Sequence, residues 1–257
     1  MTGSHLTLNT AESEVYFWAP DDVSGVARAS FEGESPFPLL SSPLRSFAMG
    51  PKDFVIPDSR SVRSMSRNAL MAAHLACPLK SQLRLQDPYR VGLYLAVENG
   101  SIDYSLVPPT RAVGPDAFAS TYKELRNPKM YLKQLPNLAG AQLGIFLGLL
   151  GPMVVMTHSR FGMLQALDQA RLDLSDSRVD QALVVGVSSL EDPLNVLKQQ
   201  QRFPGKGVSE AAVAMILNSA SDKLVWKKRP DLGWSYGVLT EFVEQAARTQ
   251  SFEIMAS

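Results

Sequence analysis

The sequence predicts an α/β fold in which a mostly parallel sheet carries helices on both faces. Short apolar runs rich in Val, typical of buried strands, occur at residues 91–97, 153–157, 181–187 and 211–218. Stretches with apolar residues at helical spacing lie between several of these runs. Strands that alternate with helices form parallel pairs, because each helix returns the chain to the same end of the sheet.

The first half of the chain contains four predicted elements. Residues 14–19 are a short β-like run, and residues 61–76 carry apolar side chains at helical spacing. Residues 91–97 are almost wholly apolar, as expected of a buried strand, and Asn99-Gly100 predicts the turn that follows it. Residues 116–126 predict a second helix.

The second half is more regular. In chain order it predicts a helix at 138–147, a strand at 153–157, a helix at 161–174, strands at 181–187, 211–218 and 224–227, and a final amphipathic helix at 238–248. We find no internal repeat, so one domain over residues 1–257, with its core at about 60–220, is expected for a chain of this length.

Residues 138–156 are apolar enough to raise the possibility of a membrane helix, and Gly140, Gly144 and Gly148 have the spacing of packed membrane helices. Pro152 interrupts the run, and the aromatic residues that anchor membrane helices at both ends are missing. We therefore expect a buried helix followed by a strand, and no membrane span.

Composition excludes several classes of function. Apolar residues make up 45% of the chain, and equal numbers of acidic and basic residues leave no basic excess for nucleic-acid binding. The single cysteine, Cys77, lies in an apolar stretch and is expected to be a small buried side chain without a disulfide. Residues 1–8 do not resemble a signal peptide, so a cytoplasmic location is the default expectation.

The turn between residues 153–157 and 161–174 places His158, Ser159 and Arg160 where some enzymes present a nucleophile. A serine hydrolase would have small residues on both sides of the serine and a histidine later in the chain. Thr157 and Phe161 occupy those flanking positions, and the histidines (His5, His74 and His158) all precede Ser159. The pattern therefore argues against a serine hydrolase.

Cofactor and metal motifs are also missing. The segment Gly205-Lys206-Gly207 lacks the Ser or Thr and the earlier glycine of a P-loop, and no G-x-G-x-x-G is present. His74, on an apolar helix, is expected to be a core histidine with a satisfied hydrogen bond, and no ligands occur at metal-binding spacing. No cofactor and no metal are expected.

Several segments, in order, resemble β-ketoacyl synthases. Residues 135–152 (LPNLAGAQLGIFLGLLGP) resemble the N-x-x-A-G…G-x-x-G-P segment that leads to the ketosynthase active site. Residues 180–187 (DQALVVGV) and 207–212 (GVSEAA) resemble the strand after the nucleophile helix and the later G-E-G-A turn. The pairs Arg63 and Arg67, and Arg90 and Gly92, also resemble ketosynthase positions.

This resemblance implies a thiolase-like fold and, in this chain, the N-terminal half of a ketosynthase. The family's nucleophilic cysteine lies in that half, and its histidines lie in the other. Counting forward from Pro152 and back from Asp180 reaches Arg160, or Ser159 with a one-residue slip. Arginine has no lone pair to attack a thioester, and an unassisted serine is a poor nucleophile. The resemblance therefore implies a chain with no catalytic residue of its own.

A subgroup that resembles this pattern is the chain-length factors of type II polyketide and aryl-polyene systems, which pair with a complete ketosynthase and act with an acyl carrier protein. The resemblance implies a heterodimer or heterotetramer in which Met130, Tyr131, Leu132 and Leu135 shape the partner's acyl tunnel. Met130 and Leu132 are alternatively core residues. Pairing across the dimer axis is assigned to residues 181–187, and the expected interface residues are Gln181, Leu183, Val185, Val187 and Asn137.

Two other functions stay open. One is a serine-dependent acyltransferase or hydrolase that uses Ser159. The other is a homodimeric protein that keeps the half-fold and binds an acyl carrier protein.

Overall fold

The computed structural model describes residues 4–9, 14–19, 44–45, 51–99, 109–110, 112–157, 162–190 and 208–218. His158, Ser159, Arg160 and Phe161 lie outside these ranges. So do Gly100, the segment 205–207 and the elements predicted at 224–227 and 238–248.

The described strands are β1 (Ser4–Asn9), β2 (Glu14–Ala19), β3 (Leu44–Arg45), β4 (Val91–Asn99), β5 (Met153–Met156), β6 (Gln181–Ser188), β7 (Val208–Ser209) and β8 (Ala211–Leu217). The described α-helices include α1 (Arg67–Ala76), α2 (Pro115–Leu125), α3 (Pro128–Lys133), α4 (Pro136–Leu147) and α5 (Gly162–Ser175). Shorter 3₁₀ helices cover Ser59–Ser64, Cys77–Gln82 and Pro88–Arg90.

The main sheet has the strand order β1-β2-β8-β6-β4-β5. Strand β4 is central to its parallel part and pairs with β5 on one side and β6 on the other. Strand β8 runs antiparallel to β6 and to β2, so β2, β4, β5 and β6 all point in one direction. Strands β3 and β7 form a separate parallel pair. Four of the six described strands of the main sheet point in one direction, which confirms the mostly parallel sheet that the sequence predicts, while the pairs β1–β2, β2–β8 and β6–β8 are antiparallel.

Helices cover both faces of the sheet. Side chains alternate along a strand, so Leu93 and Leu95 of β4 pack in the core beneath α1 and α4. Tyr94 and Ala96 point the other way and pack in the core beneath α5. The apolar runs that predicted strands are therefore buried on both sides, as expected for a sheet between two helical layers.

The helix predicted at 61–76 is divided in two. Residues Ser59–Ser64 form a 3₁₀ helix, Met65 is extended, and α1 begins after Ser66. The Ser66 side chain accepts a hydrogen bond from the backbone N–H of Ala69 at 3.2 Å, which caps a new helix at this point. Strand β1, which the sequence analysis did not predict, pairs with the predicted β2 as an antiparallel hairpin.

The long apolar run separates into helix α4 and strand β5, as expected. Helix α4 ends at Gly148, whose φ of 78° is a left-handed conformation that favours glycine. The backbone N–H groups of Gly148 and Leu149 both donate to the carbonyl of Gly144, at 2.8 and 2.9 Å, and close the helix. Within the described ranges, no helix is long and apolar enough to cross a bilayer.

A buried hydrogen bond ties the sheet to α5. The hydroxyl of Tyr94 donates to the carboxylate of Asp173 at 2.7 Å, and both side chains are buried. Gln169 and Arg178 donate to the other oxygen of the same carboxylate, at 3.1 and 3.4 Å. Burial, with the hydrogen bond to Asp173 second, raises the pKa of Tyr94 well above its ordinary value.

We expect this raised pKa to make Tyr94 a source of stability that is lost in alkali. The unfolded chain ionises its tyrosines at about pH 10, whereas folded Tyr94 keeps its proton above that pH. The free energy of unfolding therefore falls as the pH rises through this range. Tyr94→Phe should cost about 1–2 kcal/mol near neutral pH, and this cost should shrink above about pH 10. Urea unfolding at several pH values measures it, with the exposed Tyr89→Phe as control. A cost that stays constant into alkali would contradict the assignment.

Candidate functional site

Two of the motif positions that resemble ketosynthases are joined by a buried ion pair. The guanidinium of Arg67, at the start of α1, donates to both carboxylate oxygens of Glu210, at 2.6 and 2.8 Å. Glu210 is 1% exposed and also accepts the backbone N–H of Leu190 at 3.2 Å. The guanidinium also lies over the ring of Phe54, 5.5 Å from its centroid. This pair connects α1, the end of β6 and the start of β8.

A second ion pair joins the other motif positions at the opposite end of the strands. Arg90, directly before β4, donates to both carboxylate oxygens of Asp180, directly before β6, at 3.1 and 2.6 Å. It also donates to the carbonyls of Ser177 and Arg178. The hydrogen bond to Arg90 lowers the pKa of Asp180. Because this pair is partly exposed, its role is to align β4 with β6 rather than to supply much stability.

The glycines of the 135–152 segment allow close packing. A Cβ on Gly140 would lie 3.0 Å from side-chain atoms of Met153 and Val155, so α4 rests directly on β5. A Cβ on Gly151 would overlap the carbonyl oxygen of Val91 and lie 2.8 Å from that of Tyr89. The glycine spacing that suggested a membrane helix thus has a packing role at Gly140.

The residues that the resemblance assigns to the nucleophile position, Ser159 and Arg160, lie outside the described structure, between β5 and α5 in the sequence. Strand β5 ends at Met156 and α5 begins at Gly162. The first turn of α5 meets Glu98, a carboxylate that the sequence analysis did not select. Glu98 is 1% exposed and accepts the backbone N–H of Met163 at 3.3 Å. Its signal in the sequence is a charged residue near the end of a mostly apolar strand.

The predicted pairing of residues 181–187 across a dimer axis is wrong. Strand β6 is hydrogen-bonded to β4 on one side and β8 on the other, so neither of its edges is free. Leu183, Val185 and Val187 are fully buried within the chain. Gln181 accepts the backbone N–H of Arg84 at 2.9 Å and donates to Gln82 and Asn218. A Val-rich run has the same pattern in a central strand as in an interface strand, which is why the sequence did not separate them.

The outer strands of the described sheet are β1 at one edge and β5 at the other. Among the described strands β5 pairs only with β4, so its outer edge carries no described strand. Beside it, α4 and β5 border an apolar groove of about 320 Å³, where Gly144 and Gly148 leave open space. Ile145 on this side of α4 is 77% exposed, and Leu150 and Met153 are exposed nearby. Asn137, an expected interface residue, is exposed in the first turn of α4.

Helix α2, which precedes the segment expected to line a partner's tunnel, exposes its apolar side chains. Helix α2 buries none of its residues, and Phe118, Tyr122 and Leu125 lie on one side of it at helical spacing. The rings of Phe118 and Tyr122 stack with centroids 6.2 Å apart. A helix of this length is marginal in water without a packed face, so α2 has the properties of a helix that another surface covers.

The four expected tunnel residues lie in or directly after α3. Tyr131 is 62% exposed and Leu132 is 48% exposed, so the alternative that Leu132 is a core residue is wrong. Leu135 is half-buried at the start of α4. Met130 belongs to α3, but its side chain is outside the described structure.

Two other candidate residues have structural roles. His74 is buried, and its Nδ1 accepts the backbone N–H of Val55 at 3.0 Å, which confirms the core-histidine interpretation. Cys77 is half-buried, and burial raises the pKa of its thiol to about 11, so it is protonated and unreactive near neutral pH. Among the residues that the structure describes, no group of three or more His, Cys, Asp or Glu side chains could hold a metal ion.

Comparison by sequence finds no matching family model and no matching curated protein. Solved structures match in three dimensions. The AntDE:AntF structure, a type II PKS acyl-carrier protein in complex with its ketosynthase bound to the hexaketide, has a TM-score of 0.53 and 16% identity, covering 75% of this chain and 56% of the other. A β-ketoacyl synthase from Burkholderia phymatum STM815 has a TM-score of 0.51 and 16% identity, covering 69% of this chain and 48% of the other.

The chain spans about half the length of these ketosynthases. The likeness to both structures is one of fold, at 16% sequence identity. The chain therefore has a ketosynthase-like fold of the thiolase type.

Proposed function

We propose that this chain is a non-catalytic, ketosynthase-like chain-length factor that forms a heterodimer with a complete ketosynthase and shapes its acyl tunnel. The observation that carries the proposal is a ketosynthase-like scaffold with no cysteine at any of the residues between β5 and α5. Neither Arg160 nor Ser159 supplies an activated nucleophile, and condensation is therefore assigned to the partner. The pathway would build polyketide, aryl-polyene or fatty-acid-like chains.

The outer edge of β5, which pairs with no described strand, is the proposed contact with the partner ketosynthase. An exposed strand edge offers unpaired N–H and C=O groups to a second strand, and proteins normally cover such edges. The groove beside β5 and the exposed Ile145, Leu150 and Met153 extend this edge into an apolar surface on α4. Asn137 lies on the same helix. This surface takes the place of β6 as the proposed interface.

We expect Ile145→Arg to weaken binding to the ketosynthase by about a hundredfold, because complex formation would bury an unpaired charge. The stability of the isolated chain should change by less than about 0.5 kcal/mol, since Ile145 is exposed. The control is Leu172→Arg, because Leu172 is 50% exposed on α5, across the sheet. Titration calorimetry measures the affinity of both variants for the ketosynthase. Equal affinities for the two variants would show that β5 and α4 are not part of the interface.

Helices α2 and α3 are the proposed tunnel-lining segment. Their exposed residues Phe118, Tyr122, Tyr131 and Leu132 provide apolar and aromatic surface that would be covered in the complex. Met130 is proposed as the residue that limits chain length, with Leu135 at the base of the segment.

We expect Met130→Trp to shorten the products of the reconstituted complex, because a larger side chain would leave less room for the growing acyl chain. Mass spectrometry of the products measures their length, and Leu172→Trp, on the far side of the sheet, is the matched control. Products of unchanged length from an intact complex would end the gating role of Met130.

Arg160→Ala should leave condensation intact, since the partner supplies the nucleophile.

An acyl carrier protein is the second proposed partner, and it would interact with this chain as part of the complex with the ketosynthase. The support is one structural neighbour, AntDE:AntF, in which an acyl-carrier protein is in complex with its ketosynthase. We further propose that residues 1–257 form one domain and that the protein works in the cytoplasm.

A further inference from the structure

A buried carboxylate lies against the amino end of α5. Glu98 lies where the register between β4 and β6 shifts, between Val97 and Asn99. It is 1% exposed, and its carboxylate accepts the backbone N–H of Met163 at 3.3 Å. A Cβ on Gly162, the first residue of α5, would lie 3.5 Å from the Cγ of Glu98. The carboxylate is therefore in contact with the first turn of the helix.

The amino end of a helix normally favours negative charge, because its first N–H groups have no partner within the helix and the helix dipole is positive there. Enzymes use this property to lower the pKa of a cysteine or to stabilise an oxyanion. A carboxylate at the same place takes up an N–H group and opposes a second negative charge nearby.

We infer that Glu98 occupies the anion-stabilising position at the amino end of α5, so that a nucleophile restored at the start of this helix would stay protonated and unreactive. The inference rests on the proposed non-catalytic function and deepens it.

The test places a cysteine at the helix start and asks whether Glu98 controls its ionisation. Gly162→Cys is suitable because its Cβ would have only ordinary contacts, of 3.5–3.7 Å. Cys77 is first replaced by alanine so that it does not contribute. The thiolate absorbance is then followed against pH with Glu98 present and with Glu98→Gln, which keeps the shape and removes the charge.

With Glu98 present, the midpoint of thiolate formation should lie above pH 8.5, which is about the usual value for free cysteine. In the Glu98→Gln chain this midpoint should fall by about one pH unit or more. The control is Asn137→Cys in the first turn of α4, where no acidic residue lies, and its midpoint should be the same in both backgrounds. Equal midpoints for Gly162→Cys in both backgrounds would overturn the inference.

If Gly162→Cys does not fold, Met163→Cys serves as the probe, because its backbone N–H is the one that Glu98 accepts. The same fall in the midpoint is expected, and no fall would overturn the inference. The experiment needs no partner protein. If the thiolate midpoint depends on Glu98 but the chain binds no ketosynthase, only the proposed function is overturned. If the chain binds a ketosynthase but the midpoint does not depend on Glu98, only this inference is overturned.

Discussion

Replacing Arg67 with alanine should lower the free energy of unfolding by about 3–5 kcal/mol, which is the usual cost of removing one partner from a buried ion pair. The variant would leave Glu210, 1% exposed, with its negative charge buried and without the two hydrogen bonds from Arg67. It would also remove the guanidinium from the ring of Phe54. Chemical denaturation followed by circular dichroism measures the loss.

The matched control removes both charges. Arg67→Met combined with Glu210→Leu should recover most of the lost stability, because no unpaired charge then remains in the core. Arg60→Ala removes an arginine whose ion pair with Asp58 is exposed, and it should change stability by less than about 0.5 kcal/mol. A loss for Arg67→Ala as small as that for Arg60→Ala would show that the Arg67–Glu210 pair does not hold α1 to β8.

Replacing Gly151 with alanine should cost about 3 kcal/mol or more, because the added Cβ would overlap the carbonyl oxygen of Val91 and lie 2.8 Å from that of Tyr89. Both neighbours are backbone atoms, which cannot rotate away as a flexible side chain can. The chain entering β5 would have to move away from the start of β4, where Leu93 donates to the carbonyl of Pro152 at 2.8 Å.

Gly144→Ala is the control for this substitution. Its Cβ would have no neighbour within 4 Å, and alanine is the better helix former, so the isolated chain should be unchanged or more stable by about 1 kcal/mol. Thermal unfolding of the two variants compares them directly. Similar losses for both would mean that the loss at Gly151 comes from general helix or loop effects and not from the close approach to Val91.

Much of the sheet could be predicted from the sequence because its strands are buried on both sides. Strands β4, β6 and β8 consist mostly of apolar residues, and their length, shorter than that of most helices, favours buried strands over buried helices. The motif positions were also informative, since Arg67 pairs with Glu210 and Arg90 with Asp180 over long stretches of sequence. These contacts bring together positions that the ketosynthase resemblance had selected separately.

The features that the sequence did not predict depend on tertiary neighbours. Whether β6 or β5 forms the sheet edge depends on the strand order, and the apolar pattern of β6 gives no indication of it. Glu98 is significant only because the start of α5 lies against the end of β4. The break between Ser64 and Arg67 depends on a single cap, Ser66, within an otherwise helical pattern. In each case a long-range or single-residue contact overrides the local periodicity.

The central claim is that this chain works as the partner of a complete ketosynthase. The most direct measurement is affinity purification from the native host, with mass spectrometry to identify whatever co-elutes in equal amount. We expect a full-length ketosynthase with its own cysteine and histidines, and we expect Ile145→Arg, but not Leu172→Arg, to lose it. Recovery of the chain only as a homodimer, with no ketosynthase bound, would contradict the claim and leave the fold alone standing.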